Sequence, residues 1–118
     1  MNFIKISVLS LLVLGCGFDV DDPILQPPSD LTYNPNNVIL NVTETFVSSE
    51  PIINGVPPFL YKLDNAADLG SFISLDSLIG VISVDGNLSE VGNYSLDIDV
   101  LNTDGKTLFT EVYTITIE

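Results

Sequence analysis

The sequence predicts an all-β domain, a Greek-key sandwich of six to seven strands, and three observations point there. Apolar residues recur at every second position in several runs, tight-turn dipeptides separate those runs, and no amphipathic helix of useful length is present. A strand that is apolar on one side only must cover that side with another sheet, so short strands at this spacing form two layers.

Taken in chain order, Asn34-Pro35-Asn36-Asn37 marks the first turn and Asn54-Gly55 the next. Pro57-Pro58 then fixes an extended approach into a central strand, in which Phe59, Tyr61 and Leu63 alternate with other residues. Ile73-Ser74-Leu75-Asp76 and Gly80-Val81-Ile82 follow, with Gly80 placed to make a turn. Asp85-Gly86 and Asp104-Gly105 are tight-turn signals. Tyr94, Leu96, Ile98 and Val100 make one period-two row, and Tyr113, Ile115 and Ile117 make another. Gly92 is expected at a turn, and Tyr61 and Tyr94 as broad side chains filling a thin core. Asp97 and Asp99, two apart, are expected on one solvated face opposite the Leu96 and Ile98 row.

The runs Gly55–Leu63, Ile73–Ile82 and Gly92–Val100, in that order and spacing, resemble successive strands of bacterial cadherin-like and immunoglobulin-like domains. The resemblance covers about residues 38–117. It implies an immunoglobulin-like (cadherin-like) sandwich used for binding or adhesion. It also raises calcium, because cadherin repeats hold that ion between modules: Glu90 sits near the place of the strand-start glutamate, and Asn102 stands where an aspartate is usual. Glu90, Asn102 and Asp104 are therefore the weak calcium candidates, and no other cofactor is expected.

Ahead of this domain, residues 1–15 read as a signal peptide: Lys5, then the apolar run Ile6–Leu14, then the small Gly15. The run is about half the roughly 20 residues needed to span a bilayer as a helix. Val13-Leu14-Gly15-Cys16 resembles the lipobox of bacterial lipoproteins, which implies a diacylglyceryl thioether and palmitate-type acylation at Cys16. An exported chain with a single cysteine has no internal disulfide to form, and acylation would occupy that thiol. Residues 16–30 are read as the acylated cysteine and an acidic tether interrupted by Pro23, Pro27 and Pro28, and residues 31–118 as the domain. Asp19, Asp21 and Asp22 resemble the acidic export signal of Bacteroidetes surface lipoproteins. The expected location is thus the bacterial cell envelope, as an outer-membrane lipoprotein that is either surface-exposed or periplasmic.

Without the leader, Lys62 and Lys106 stand against 16 carboxylates, a formal balance of −14. With no arginine, the chain is unsuited to neutralising phosphate backbones, so nucleic acid is not an expected partner. The membrane is expected to be met through lipid, because anionic headgroups repel an acidic domain. The absence of histidine removes imidazole-based triads, and the chain is expected not to be an enzyme. Tyr33 and Phe109 are the candidate ligand platforms, because small sandwiches that bind glycans stack sugars on exposed rings; protein or glycan remains the ligand class. Asp76-Ser77-Leu78 matches a Bacteroidetes O-glycosylation pattern and marks Ser77 as a possible acceptor.

Overall fold

The computed structural model describes residues 24–118. The leader, Cys16 and the first part of the tether lie outside the described residues. Among the described residues, nine strand segments form two layers. In one, β2 (Asn37–Leu40), β9 (Gly105–Ile117), β8 (Gly92–Asn102) and β5 (Leu60–Leu63) lie side by side in that order, with β2 parallel to β9 and the other pairs antiparallel. The other layer consists of β3 (Phe46–Val47), β7 (Ile82–Val84) and β6 (Ile73–Leu75), with β1 (Ser29–Thr32) and β4 (Ile52–Asn54) as a separate antiparallel pair.

The connections are of Greek-key type. The chain leaves β5, crosses to make β6 and β7 in the opposite layer, and returns as β8 beside β5. The expected six to seven strands become nine segments because two are broken. Tyr33–Asn36 separates β1 from β2 as the chain changes sheets, and Ser48–Pro51 separates β3 from β4.

The period-two rows meet in one core. Leu96, Ile98 and Val100 of β8 and Tyr113, Ile115 and Ile117 of β9 pack with Tyr61, Ile73, Ile82 and Val84, and eight of these ten are at most 2% exposed. Burial on this scale is the main stabilising term for a domain that has no disulfide within it.

The long β8–β9 ladder is interrupted once. Leu96 faces Tyr113 and Ile98 faces Phe109, so Asp97 alone opposes Thr110, Glu111 and Val112. Glu111 adopts a left-handed φ of 50°, and its N–H donates to Asp97 Oδ1 at 2.8 Å. Asn65 holds Asp97 from the other side, accepting its N–H at 3.0 Å and donating to the Ser95 carbonyl at 2.8 Å. Asp97 is therefore a half-buried brace for the bulge, where the sequence suggests only a solvated face.

Two glycines are required by geometry. Gly80 has φ 74°, and a Cβ there would lie 2.8 Å from Pro51 Cγ and 3.0 Å from Tyr61 Cε2. A Cβ on Gly86 would lie 2.3 Å from the Thr43 carbonyl oxygen. Asp85-Gly86 thus serves a close backbone crossing from one layer to the other, not a hairpin.

The domain also begins earlier than residue 31. Pro28 is fully buried, its carbonyl accepts from Thr107 Oγ1 at 2.6 Å, and β1 starts at Ser29. The last residues of the expected tether are part of the sandwich.

Candidate functional site

Asn102 closes one end of the molecule. It ends β8, and the two-residue loop Thr103-Asp104 returns the chain to Gly105. Its Oδ1 accepts the N–H of Asp104 at 2.9 Å and of Gly105 at 3.0 Å. Its Nδ2 donates to the carbonyls of Gln26 at 2.9 Å and Val56 at 3.1 Å. Asp104 Oδ2 in turn accepts the Gln26 N–H at 2.9 Å. One buried amide thereby joins the N-terminal segment, the approach to β5 and the β8–β9 turn.

This arrangement does not gather the calcium candidates. Asn102 Oδ1 already serves two backbone donors, and its amide nitrogen faces the two carbonyls that a cation would otherwise seek. Glu90 lies beyond Gly92, at the opposite end of β8, whose ten steps from Asn102 to Gly92 span about 33 Å. Calcium needs its oxygens at about 2.4 Å. Glu90, Asn102 and Asp104 therefore do not converge, and among the described residues no group of three His, Cys, Asp or Glu side chains is placed to hold a metal.

The aromatic platform is corrected at Tyr33. Only 2% of this residue is exposed; its hydroxyl donates to the Gly80 carbonyl, and its ring meets Tyr113 edge-on at 5.3 Å and 79°. Desolvation, with Tyr61 and Tyr113 adding to it, raises the Tyr33 hydroxyl well above its ordinary pKa. Burial raises Tyr61 too, with a further contribution from Glu50, and burial alone raises Tyr113. Phe109 is half-buried against the core beside a groove of about 450 Å³ that runs between Leu31–Tyr33 and Leu108–Val112. Among the described residues the exposed large apolar side chains are all aliphatic.

Ser77 sits in the exposed turn between β6 and β7. Asp76 Oδ1 shapes that turn by accepting the N–H groups of Leu78 at 2.8 Å and Ile79 at 3.1 Å. The Ser77 carbonyl accepts the Tyr61 N–H at 2.9 Å, and the residue itself is exposed.

The feature that sequence reading missed is the outer face of the four-stranded sheet. Leu60 of β5 lies opposite Leu101 of β8, which lies opposite Lys106 of β9. One step along, Lys62 lies opposite Asp99, which lies opposite Leu108. The three leucines are 50%, 44% and 47% exposed for Leu60, Leu101 and Leu108. Leu60, Tyr61, Lys62, Asp99, Leu101 and Lys106 line a shallow depression of about 240 Å³. Both lysines outside the leader thus stand on one face of an acidic domain. Their rarity is visible in the sequence; their convergence depends on strand register.

Comparison with known proteins supports the same architecture. No protein-family description matches the sequence, and no curated protein matches it. Solved structures do match. A candidate α-galactosidase of Bacteroides fragilis NCTC 9343 has a TM-score of 0.60 at 19% identity over 84% of this chain and 19% of its own. A SusE-like surface-located polysaccharide-binding protein from the Bacteroides thetaiotaomicron heparin utilisation locus has a TM-score of 0.59 at 21% identity, covering 86% of this chain and 16% of its own. Human protocadherin-24 EC1-2 has a TM-score of 0.54 at 13% identity, covering 80% of this chain and 44% of its own. The chain spans under a fifth of the two Bacteroides proteins, so the likeness is to one module of each. The class is an immunoglobulin-like, cadherin-like β-sandwich.

Proposed function

We propose that this chain is an envelope-anchored lipoprotein, held by Cys16, that presents one immunoglobulin-like sandwich as a non-catalytic contact module. The observation that carries the reading is the Leu60, Leu101 and Leu108 face with its two lysines. Exposed apolar side chains gathered on one face mark a site of interaction. The leader, the lipobox-like Val13–Cys16 and the acidic segment after it support attachment to the outer membrane. The lack of histidine supports a role without imidazole chemistry.

Intact mass spectrometry of the full-length chain extracted from membranes tests the anchor. The expected mass lacks residues 1–15 and carries diacylglycerol and an acyl chain on Cys16, and Cys16→Ala leaves the leader attached. An unmodified mature chain would overturn the anchor. Surface exposure is tested by protease treatment of intact cells, which is expected to remove the domain.

A second reading, an accessory glycan binder in a polysaccharide-uptake system, is favoured by the likeness to one module of the SusE-like polysaccharide-binding protein. Burial of Tyr33 and the absence of exposed rings among the described residues weigh against stacking of sugars. Retardation in polysaccharide-containing gels, heparin among them, would move the conclusion to this reading.

A further inference from the structure

We propose that the outer face of β5 and β8 is a self-association surface, on which two copies pack about a two-fold axis running along the strands between β5 and β8. The proposal deepens the contact-module reading by naming the partner as a second copy of this chain.

The argument begins with register. Leu60 faces Leu101, and Lys62 faces Asp99, across one antiparallel ladder. A two-fold axis lying in the interface, parallel to the strands and midway between them, exchanges the two columns. Leu60 of one copy then covers Leu101 of the other, and Lys62 covers Asp99, each contact occurring twice. Sheets packed face to face stand about 10 Å apart, a distance that leucine side chains from both sides fill and a lysine stem spans. The face therefore complements itself in shape and in charge.

The remainder of the molecule favours the same face. Outside the leader there are 16 carboxylates and two lysines, so two copies approaching by other surfaces meet like charge. Addition of a strand at the β5 edge is opposed, because the Tyr61 N–H on that edge is already taken by the Ser77 carbonyl at 2.9 Å. At this edge, contact through the side chains of the sheet face is the geometry left open.

The next row, Asp64 and Asp97, brings acids together across the axis, and this sets the strength. Association is weak in dilute solution at low salt and strengthens as salt screens the repulsion between −14 domains. Attachment to a membrane would raise the effective concentration further.

The test is sedimentation velocity of the full-length chain extracted in detergent, with concentration raised to about 1 mM. A reversible dimer is expected, tighter at physiological than at low ionic strength. Lys62→Asp and Asp99→Lys each raise the dissociation constant at least about tenfold, and the double exchange K62D/D99K returns it to within about threefold of the parent. Leu101→Asp, at an exposed position, abolishes the dimer by a second route. A parent chain that stays monomeric, single reversals without effect, or a double exchange that keeps its circular dichroism but not its dimer would each overturn the proposal. Intact mass of the same sample separates the two readings: dimers with an unmodified Cys16 refute only the anchor, and monomers with an acylated Cys16 refute only this face.

Discussion

The β8–β9 hairpin and the opposite layer reach the same core by different means. The hairpin strands are 11 and 13 residues long, and their ladder is braced by side chains only at its bulge, by Asp97 and Asn65. The facing strands β3, β6 and β7 are two or three residues long and rely on side-chain hydroxyls where the ladder stops. Ser48 Oγ accepts the Ile82 N–H at 2.9 Å, Thr45 Oγ1 accepts from Gly86 at 3.1 Å, and Ser89 Oγ accepts from Thr43 at 3.1 Å. A long local hairpin supplies its own hydrogen bonds; a fragmented sheet needs polar side chains from distant segments.

The largest expected effect lies in the hairpin. Ile98→Ala deletes a fully buried side chain and should cost about 2–5 kcal/mol, whereas Val47→Ala on exposed β3 should stay within about 0.5 kcal/mol. Equal losses in denaturant unfolding would break the comparison.

Asn102→Ala comes next, at about 2–3 kcal/mol, because it leaves the Gln26 and Val56 carbonyls without their donor. In the parent chain, excess calcium and chelator should give the same melting midpoint, since a ligand specific to the native state would raise it. A calcium-dependent midpoint would restore the cation reading.

Tyr33→Phe removes the donor to the Gly80 carbonyl and should cost about 1–2 kcal/mol. The same residue governs alkaline behaviour. Its hydroxyl titrates at an ordinary value of 10.0 when unfolded and higher when folded. Above pH 10 the unfolded chain has released a proton that the folded chain keeps, so stability is full below pH 10 and declines as pH rises beyond it. Tyr33→Phe should flatten that decline, as read by unfolding midpoints at increasing pH.

Ser48→Ala is the smallest of the hydrogen-bond losses, about 1 kcal/mol, and should loosen β3 from β7 without disturbing the hairpin. Hydrogen exchange should show faster exchange at Ile82 and little change at Leu96 or Ile115. Uniform acceleration would mean that the two layers open as one unit.

Legibility follows the same division. Tyr94–Val100, Tyr113–Ile117 and Phe59–Leu63 were readable because each buries alternate residues. Strands β1 to β4 were harder to read, since they are two to four residues long and bury few side chains. Pro28 reads as spacer from its composition, yet it is buried beneath contacts made 79 residues away by Thr107. The calcium trio spans 15 sequence positions, and an extended strand carries its two ends apart. Tyr33 lies beside a turn signal, where a ring reads as free until the fold brings the Gly80 carbonyl to it.

The sequence by itself determined the alternation that makes this an all-strand chain, the acidity that narrows its partners, and the glycine needed at position 80. These depend on neighbouring residues or on totals, which no folding step alters. Tertiary structure alone decided that Asn102 would clamp segments 76 and 46 residues distant, that Tyr33 would be interior, and that Lys62 would stand against Asp99 beside paired leucines. Those outcomes depend on which strands lie side by side and in what register, and a period of two is the same in every register that differs by two residues.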